Sequence, residues 1–88
     1  MHEVRMKLFG MFREFGNGRE LTLTLREGAT LADIRSALKQ EFRILKPGFR
    51  DDGVVDVSAI ADAETILTSE FSLRSAQVLA VLPPVCGG

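Results

Sequence analysis

The residues whose types and order could carry out chemistry stand together at the end of the chain. The sequence closes with Pro83-Pro84-Val85-Cys86-Gly87-Gly88. Two successive prolines favour a stiff, extended exit from the element before them, and the two glycines have no side chain to block a narrow channel. Such an ending predicts a tail that threads into the active site of another protein.

The reactive group of this tail would be the carboxylate of Gly88. A carboxylate is a poor electrophile, so it must be activated, and an acyl-adenylate formed with ATP by a partner enzyme would do so. Sulfur could then displace the nucleotide. Gly-Gly alone does not carry this prediction, because glycine-rich ends are also common in frayed termini.

The remaining candidates for chemistry favour structural roles. Cys86 is the single cysteine, and nothing around it in the sequence would activate the thiol. His2 has no second histidine or cysteine nearby with which to bind zinc. Three aspartates lack the spacing of a calcium loop and indicate a solvated turn: Asp51, Asp52 and Asp56. We therefore predict no metal site.

Composition limits the class of partner. The 88 residues, 45% of them hydrophobic, suffice for one compact domain. Eleven Lys and Arg stand against twelve Asp and Glu, which gives no electrostatic reason to expect nucleic acid or a membrane surface. The chain has no apolar run of roughly 20 residues, no signal-peptide pattern and no cysteine pair. We expect a cytoplasmic protein that binds other proteins, with no nucleic acid and no membrane.

Two alternating segments at the amino terminus predict paired strands, joined through a loop that contains Gly16-Asn17-Gly18. Their apolar positions are Val4, Met6 and Leu8, then Leu21, Leu23 and Leu25. The period then changes to that of an amphipathic helix, which Thr30 would cap with Asp33 at the capping-box position. Pro47 and Gly48 predict that the helix ends between about Phe42 and Leu45.

The second half of the chain predicts further strands. Residues 54–61 suggest one irregular strand after a turn, and 65–67 a short one. Residues 77–82 are almost continuously apolar and indicate a central strand covered on both sides, which Pro83-Pro84 would end. The order predicts an α+β protein with a β-grasp fold, in which a mixed sheet of four to five strands carries one main helix on one face. Residues 1–82 would form this domain and residues 83–88 a flexible tail.

Almost the whole chain resembles the small subunit of molybdopterin synthase, within the wider group of ubiquitin-like β-grasp sulfur carriers. The resemblance is carried by residues 4–9 and 12–15 and by Gly28-Ala29-Thr30-Leu31 at the start of the helix. Its most specific part is residues 79–88, because the tail of this family reads Pro-Pro-Val, a variable residue, then Gly-Gly.

This resemblance implies a carrier that is not an enzyme by itself and binds no cofactor. A ubiquitin-activating-like adenylyltransferase would use ATP to adenylate Gly88, which would then become a thiocarboxylate, with Gly87 permitting access. The molybdopterin synthase large subunit would receive the tail and pass the sulfur to a pterin precursor of the molybdenum or tungsten cofactor. The positions implied in partner binding are Phe9, Ile66, Leu82, Pro83, Pro84 and Val85.

Three other functions fit the same residues. The carrier could supply sulfur for thiamine, cysteine or another metabolite, although the diproline favours the molybdopterin branch. A ubiquitin-like modifier would instead join activated Gly88 to lysines of target proteins. A plain interaction module would keep its function without Gly88.

Overall fold

The structure, a computed structural model, describes residues 1–16 and 20–84. Four strands form one mixed sheet in the order β2-β1-β4-β3, namely β1 (His2–Leu8), β2 (Glu20–Leu25), β3 (Ala59–Ala61) and β4 (Gln77–Leu82). Helix α1 (Leu31–Leu45) packs on one face, a 3₁₀ helix (Gly10–Phe15) follows β1, and a short helix α2 (Asp52–Val57) precedes β3. This is the predicted β-grasp arrangement. In the described ranges no helix has the length and apolar character that crossing a membrane requires.

The last strand lies at the centre of the sheet, as predicted. β4 runs parallel to β1, with Leu79 beside Met6, and antiparallel to β3, with Val81 opposite Ile60. β1 pairs with β2 in an antiparallel hairpin. Because alternate side chains of a strand point to opposite faces, one side of all four strands contributes to the core. The buried strand residues are Val4, Met6, Leu8, Leu23, Leu25, Ile60, Leu79 and Val81.

Local signals define the two ends of α1. Thr30 Oγ1 accepts a hydrogen bond from the Asp33 amide at 3.2 Å, and Asp33 Oδ2 accepts one from the Thr30 amide at 2.9 Å, which confirms the capping box. At the other end the Lys46 amide donates to the Phe42 carbonyl at 2.8 Å. The helix ends at Leu45, as predicted, and Lys46 alone separates it from the Pro47-Gly48 interruption.

Residues 54–57 are helical, so the prediction of one strand over 54–61 is wrong in its first half. Only Ala59–Ala61 pairs with the sheet. Val55 is fully buried, and two aspartates of α2 form ion pairs with α1, Asp52 with Arg43 and Asp56 with Lys39. Tertiary contacts therefore override the weak helix propensity of the valines.

Two further expectations about the sheet need correction. Residues 65–67 form no strand: Ile66 makes a single bridge with Ala61, next to hydrogen bonds from the Leu67 amide to Ile60 and from the Asp62 amide to Thr65. The sheet has four strands, within the predicted four to five. β4 is central but is covered on one side only, since Val78 and Leu82 are 41% and 36% exposed. The side chains of these two residues lie on the outer face of the sheet, opposite α1.

Candidate functional site

The candidate site is the point at which the chain leaves the sheet. β4 ends at Leu82, and Pro83-Pro84 follow without joining the ladder, because proline has no amide hydrogen to donate. The end of the strand is thus as predicted. The other predicted tail residues lie outside the described residues, and their roles stay predictions: Val85, Gly87 and Gly88, with Cys86 between them.

Gly10 forms the surface on which the first tail residue rests. Its φ is +57°, a conformation that favours glycine, and a Cβ built on it would lie 2.6 Å from Pro83 Cγ. The backbone of Gly10 and the ring of Pro83 are therefore in direct contact. Because Leu8 is aligned with Val81 in the parallel pair of strands, the end of β1 and the end of β4 lie side by side at this position.

The 3₁₀ helix that begins at Gly10 is anchored in the core by aromatic rings. Phe12 and Phe15 are buried, and their ring centroids lie 5.2 and 4.3 Å from that of Phe42 on α1. The Phe49 ring packs edge-on against Phe15 and Phe42. Stacked and edge-on aromatic pairs of this kind stabilise a core beyond the area they bury. The contact between Gly10 and Pro83 is thereby tied to the centre of the domain.

Apolar side chains surround the root of the tail on the outer face. Three of the six positions implied in partner binding are exposed there, Phe9 at 44%, Ile66 at 59% and Leu82 at 36%. Ile66 is opposite Ala61, Ala61 is opposite Ala80, and antiparallel partners point to the same side of a sheet. We name the apolar patch by its members, which are Phe9, Ala61, Ile66, Val78, Ala80 and Leu82.

Sequence reasoning missed two exposed apolar residues at the site. Val78 belongs to the apolar patch, and Met11 is 45% exposed on the 3₁₀ helix next to Gly10. The alternation of Val78, Ala80 and Leu82 could have indicated the first, because these residues share one side of β4. No period in the sequence indicates the second.

Charged side chains border the apolar patch along β1. Arg5 donates to Glu20 Oε1 from Nε at 3.0 Å and from its terminal nitrogen at 2.9 Å. Lys7 lies between Glu20 on β2 and Ala80 on β4 in the strand register. An open groove on this face is lined by Lys7, Val78, Ala80 and the 61–63 segment.

One carboxylate of this groove is fixed as an anion by its own turn. Asp62 Oδ1 accepts the amide hydrogens of Glu64 and Thr65, both at 2.8 Å. The hydrogen bond from the Glu64 amide, followed by that from Thr65, holds the pKa of Asp62 below its usual value. This carboxylate shapes the turn, and it is not arranged as a general base.

The described residues of the candidate site form a binding surface. No group of three or more His, Cys, Asp and Glu within 1–16 and 20–84 could hold a metal ion. The geometry instead provides an apolar surface with a tail that emerges at its edge. Such an arrangement can hold a partner protein while the tail enters it.

Comparison with known proteins gives a family and several similar structures. The profile described as the ThiS family matches residues 6–88. No curated protein matches the chain.

Three solved structures represent the likeness. SAMP1, a small archaeal modifier protein of Haloferax volcanii, is 26% identical with a TM-score of 0.70, over 98% of this chain and 99% of that one. A putative molybdopterin converting factor subunit 1 of Pyrococcus furiosus is 26% identical with a TM-score of 0.71, over 97% and 100%. A chain from the complex of subunits 1 and 2 of the molybdopterin-converting factor of Helicobacter pylori 26695 is 25% identical with a TM-score of 0.57, over 98% and 99%.

Proposed function

The chain belongs to the ThiS family, and on this basis we propose that it is the sulfur-carrying small subunit of a molybdopterin synthase. Membership and structural likeness make it a ubiquitin-like protein of the sulfur-carrier or modifier type. The choice of the molybdopterin branch is supported by the likeness to the Pyrococcus furiosus and Helicobacter pylori structures and by the diproline in the tail.

One observation carries the proposal, which is that the tail begins at the edge of the apolar patch. Pro83 rests on Gly10, and the exposed side chains of Phe9 and Leu82 lie beside it. A partner that covers the apolar patch therefore receives the tail in a defined direction. Five residues follow Pro83, and fully extended they reach at most about 17 Å, which is enough to enter a neighbouring active site.

The proposed chemistry takes place on the carboxylate of Gly88. This carboxylate attacks the α-phosphorus of ATP in the active site of an adenylyltransferase, which releases pyrophosphate and leaves an acyl-adenylate. A hydrosulfide equivalent then attacks the acyl carbon, AMP leaves with the electron pair of the broken bond, and a thiocarboxylate remains. The large subunit of the synthase next transfers this sulfur to a pterin precursor and regenerates the carboxylate with an oxygen from water.

In this scheme the chain is a co-substrate and its partners are the enzymes. It binds no cofactor, and ATP belongs to the adenylyltransferase. Gly87 contributes by lacking a Cβ, since a side chain there would obstruct the channel through which the acyl group passes. The two partners bind in succession and share one surface, for which an apolar patch is better suited than a strongly charged one.

The direct test is intact-mass analysis of the purified chain. The chain is incubated with the adenylyltransferase of the same organism, ATP and a sulfur donor. The mass of the chain should rise by the difference between one sulfur atom and one oxygen atom. The chain without Gly88 is the control, because the acyl group would then be one residue short, and its mass should not change. An unchanged mass in the wild-type chain, with an adenylyltransferase that sulfurates another carrier, would exclude the proposal.

The likeness to SAMP1 favours a second candidate, a ubiquitin-like modifier. In that function the acyl-adenylate is attacked by a lysine of a target protein, and an isopeptide bond forms in place of a thiocarboxylate. Proteolysis of cellular protein followed by mass spectrometry distinguishes the two functions. Lysines that carry the Gly-Gly remnant of this chain would establish the modifier, and their absence in cells that contain the sulfurated form leaves the carrier.

A further inference from the structure

Lys7 differs from Lys39 and Lys46 because it has no carboxylate partner among the residues that the structure describes. Lys39 Nζ lies 2.6 Å from Asp56 Oδ1, and Lys46 is paired with Glu14. Lys7 is exposed on the outer face and forms no ion pair within the described part of the chain. Its ammonium group thus lies on the same face as the apolar patch without an ion-pair partner in residues 1–16 and 20–84.

The nearest carboxylate is already engaged. Glu20 lies directly opposite Lys7 in the β1-β2 pair, yet its Oε1 accepts both hydrogen bonds from Arg5. Glu20 is therefore already paired with Arg5, and the charge of Lys7 is not paired with it. Two charge-assisted hydrogen bonds from the planar guanidinium of Arg5 are more directional than a contact with an ammonium group, and the Glu20 carboxylate is therefore paired with Arg5.

Two other carboxylates on this face do not neutralise Lys7. Asp62 borders the same groove, but its Oδ1 holds the amides of its own turn. Glu3 shares the outer side of β1 with Lys7 and lies four residues away, a distance of about 13 Å along an extended strand. At that separation the interaction between exposed charges is largely screened at physiological salt.

A partner that covers the apolar patch also covers Lys7. In the strand register Lys7 lies beside Ala80, which is a member of the apolar patch. Removing water from an unpaired ammonium group is strongly unfavourable, whereas pairing it with a carboxylate offsets that cost. A purely apolar partner surface would be rejected at this position, and rejection of wrong partners is a source of specificity.

We propose that Lys7 selects the partner, which is a protein whose apolar contact surface carries one Asp or Glu carboxylate facing Lys7. This inference rests on the proposed function, because it concerns the adenylyltransferase and the large synthase subunit that the carrier must bind. It assigns to one side chain the discrimination between these enzymes and other proteins with apolar surfaces.

The test measures the affinity of Lys7 variants for the two purified partner enzymes by calorimetry. Lys7→Arg keeps the charge and should bind within about threefold of the wild type. Lys7→Met should weaken binding about tenfold or more, since the partner carboxylate loses its cation, and Lys7→Glu about a hundredfold or more. Lys46→Met makes the same change at a lysine outside the outer face and should bind as the wild type does.

The outcomes separate the inference from the proposed function. If Lys7→Met binds as tightly as the wild type or more tightly, the partner surface is apolar at this position and the inference is wrong, whether or not sulfur is transferred. If the wild-type chain binds both enzymes but is not sulfurated, the proposed function fails and the inference stands on the affinities alone. A partner Asp or Glu whose change to Lys restores binding of Lys7→Glu would identify the facing carboxylate.

Discussion

Gly10 and Pro83 are packed so closely that a side chain at position 10 would overlap the Pro83 ring. The 2.6 Å separation between a Cβ at position 10 and Pro83 Cγ is shorter than any ordinary carbon contact. Gly10 is tied to the aromatic cluster through the 3₁₀ helix, so Pro83 is the residue of this pair that we expect to move. A side chain at position 10 should therefore displace Pro83 and alter the direction in which the tail leaves the domain.

Gly10→Ala should destabilise the protein more than Gly28→Ala, and it should slow sulfuration. Both glycines have positive φ, +57° and +80°, so both variants incur a backbone cost of about 1 kcal/mol. Only at Gly10 does the new methyl group clash, since the nearest atom to a Cβ at Gly28 is Ser72 Oγ at 3.8 Å. The clash should add about 1 to 3 kcal/mol.

Urea unfolding and the rate of sulfuration measure these two effects. The double variant Gly10→Ala with Pro83→Ala should recover part of the loss, because residues in contact are not additive. Equal losses for the two single glycine variants, with no recovery in the double variant, would show that Pro83 does not rest on Gly10.

Val55 and Val57 test the helical assignment of residues 52–57. In a strand, residues two apart share a face, and both valines would be buried or both exposed. In α2 they differ, because Val55 is fully buried and Val57 is 66% exposed. Val55→Ala should lower the free energy of unfolding by about 2 kcal/mol, and Val57→Ala should change it by less than about 0.5 kcal/mol. Equal losses in urea unfolding would instead support a strand.

Elements with local signals could be predicted from the sequence, and α1 is the clearest case. Thr30, Asp33 and the Pro47-Gly48 interruption lie within or beside the helix they define, and each acts through neighbours in sequence. The central position of β4 followed from an apolar run. Residues 54–57 lack such signals, because four residues with three β-branched side chains favour a strand locally. Their helix depends on distant contacts with Arg43 and Lys39.

The sequence predicted only part of the candidate site. Family resemblance indicated Phe9, Ile66 and Leu82, and all three are exposed on the outer face. A pattern of apolar residues does not distinguish a side chain buried in the core from an exposed side chain on a binding surface. For this reason β4 was expected to be covered on both sides. The contact between Gly10 and Pro83 joins residues 73 positions apart, and no local pattern reports it.

Stability should fall as the pH drops below about 4.5, and Asp33 should account for part of the fall. The Thr30 amide hydrogen bond, followed by that from the Thr30 hydroxyl, holds the pKa of Asp33 below its usual 3.8. Hydrogen bonds from His2 and then Arg74 lower the pKa of Glu27 from 4.5. A carboxyl whose pKa is depressed in the folded state stabilises above its unfolded pKa, and this contribution is lost as the pH falls through the folded pKa.

Asp33→Asn should flatten the lower end of this pH profile and reduce stability at neutral pH. The matched control is Asp51→Asn, since Asp51 is exposed and its side chain makes no helix-capping bond. Urea midpoints from neutral pH down to about pH 3 report both effects. If the two variants have the same profile, the capping carboxylate is not a source of the acid sensitivity.

Ile66 and Ile44 offer a matched test of the apolar patch. Both side chains are largely exposed, at 59% and 71%, but Ile66 lies in the patch and Ile44 near the end of α1. Replacing either with Ser should change stability by less than about 0.5 kcal/mol, because little apolar area is buried at these positions. Ile66→Ser should weaken binding to the large synthase subunit by about ten- to a hundredfold, as expected for a large apolar side chain that becomes buried in an interface. Ile44→Ser should bind as the wild type does.

Calorimetry on the folded proteins measures the two affinities. Equal affinities of the two variants would place the docking surface elsewhere on the domain. A loss confined to Ile66→Ser would show that the partner binds the face from which the tail emerges.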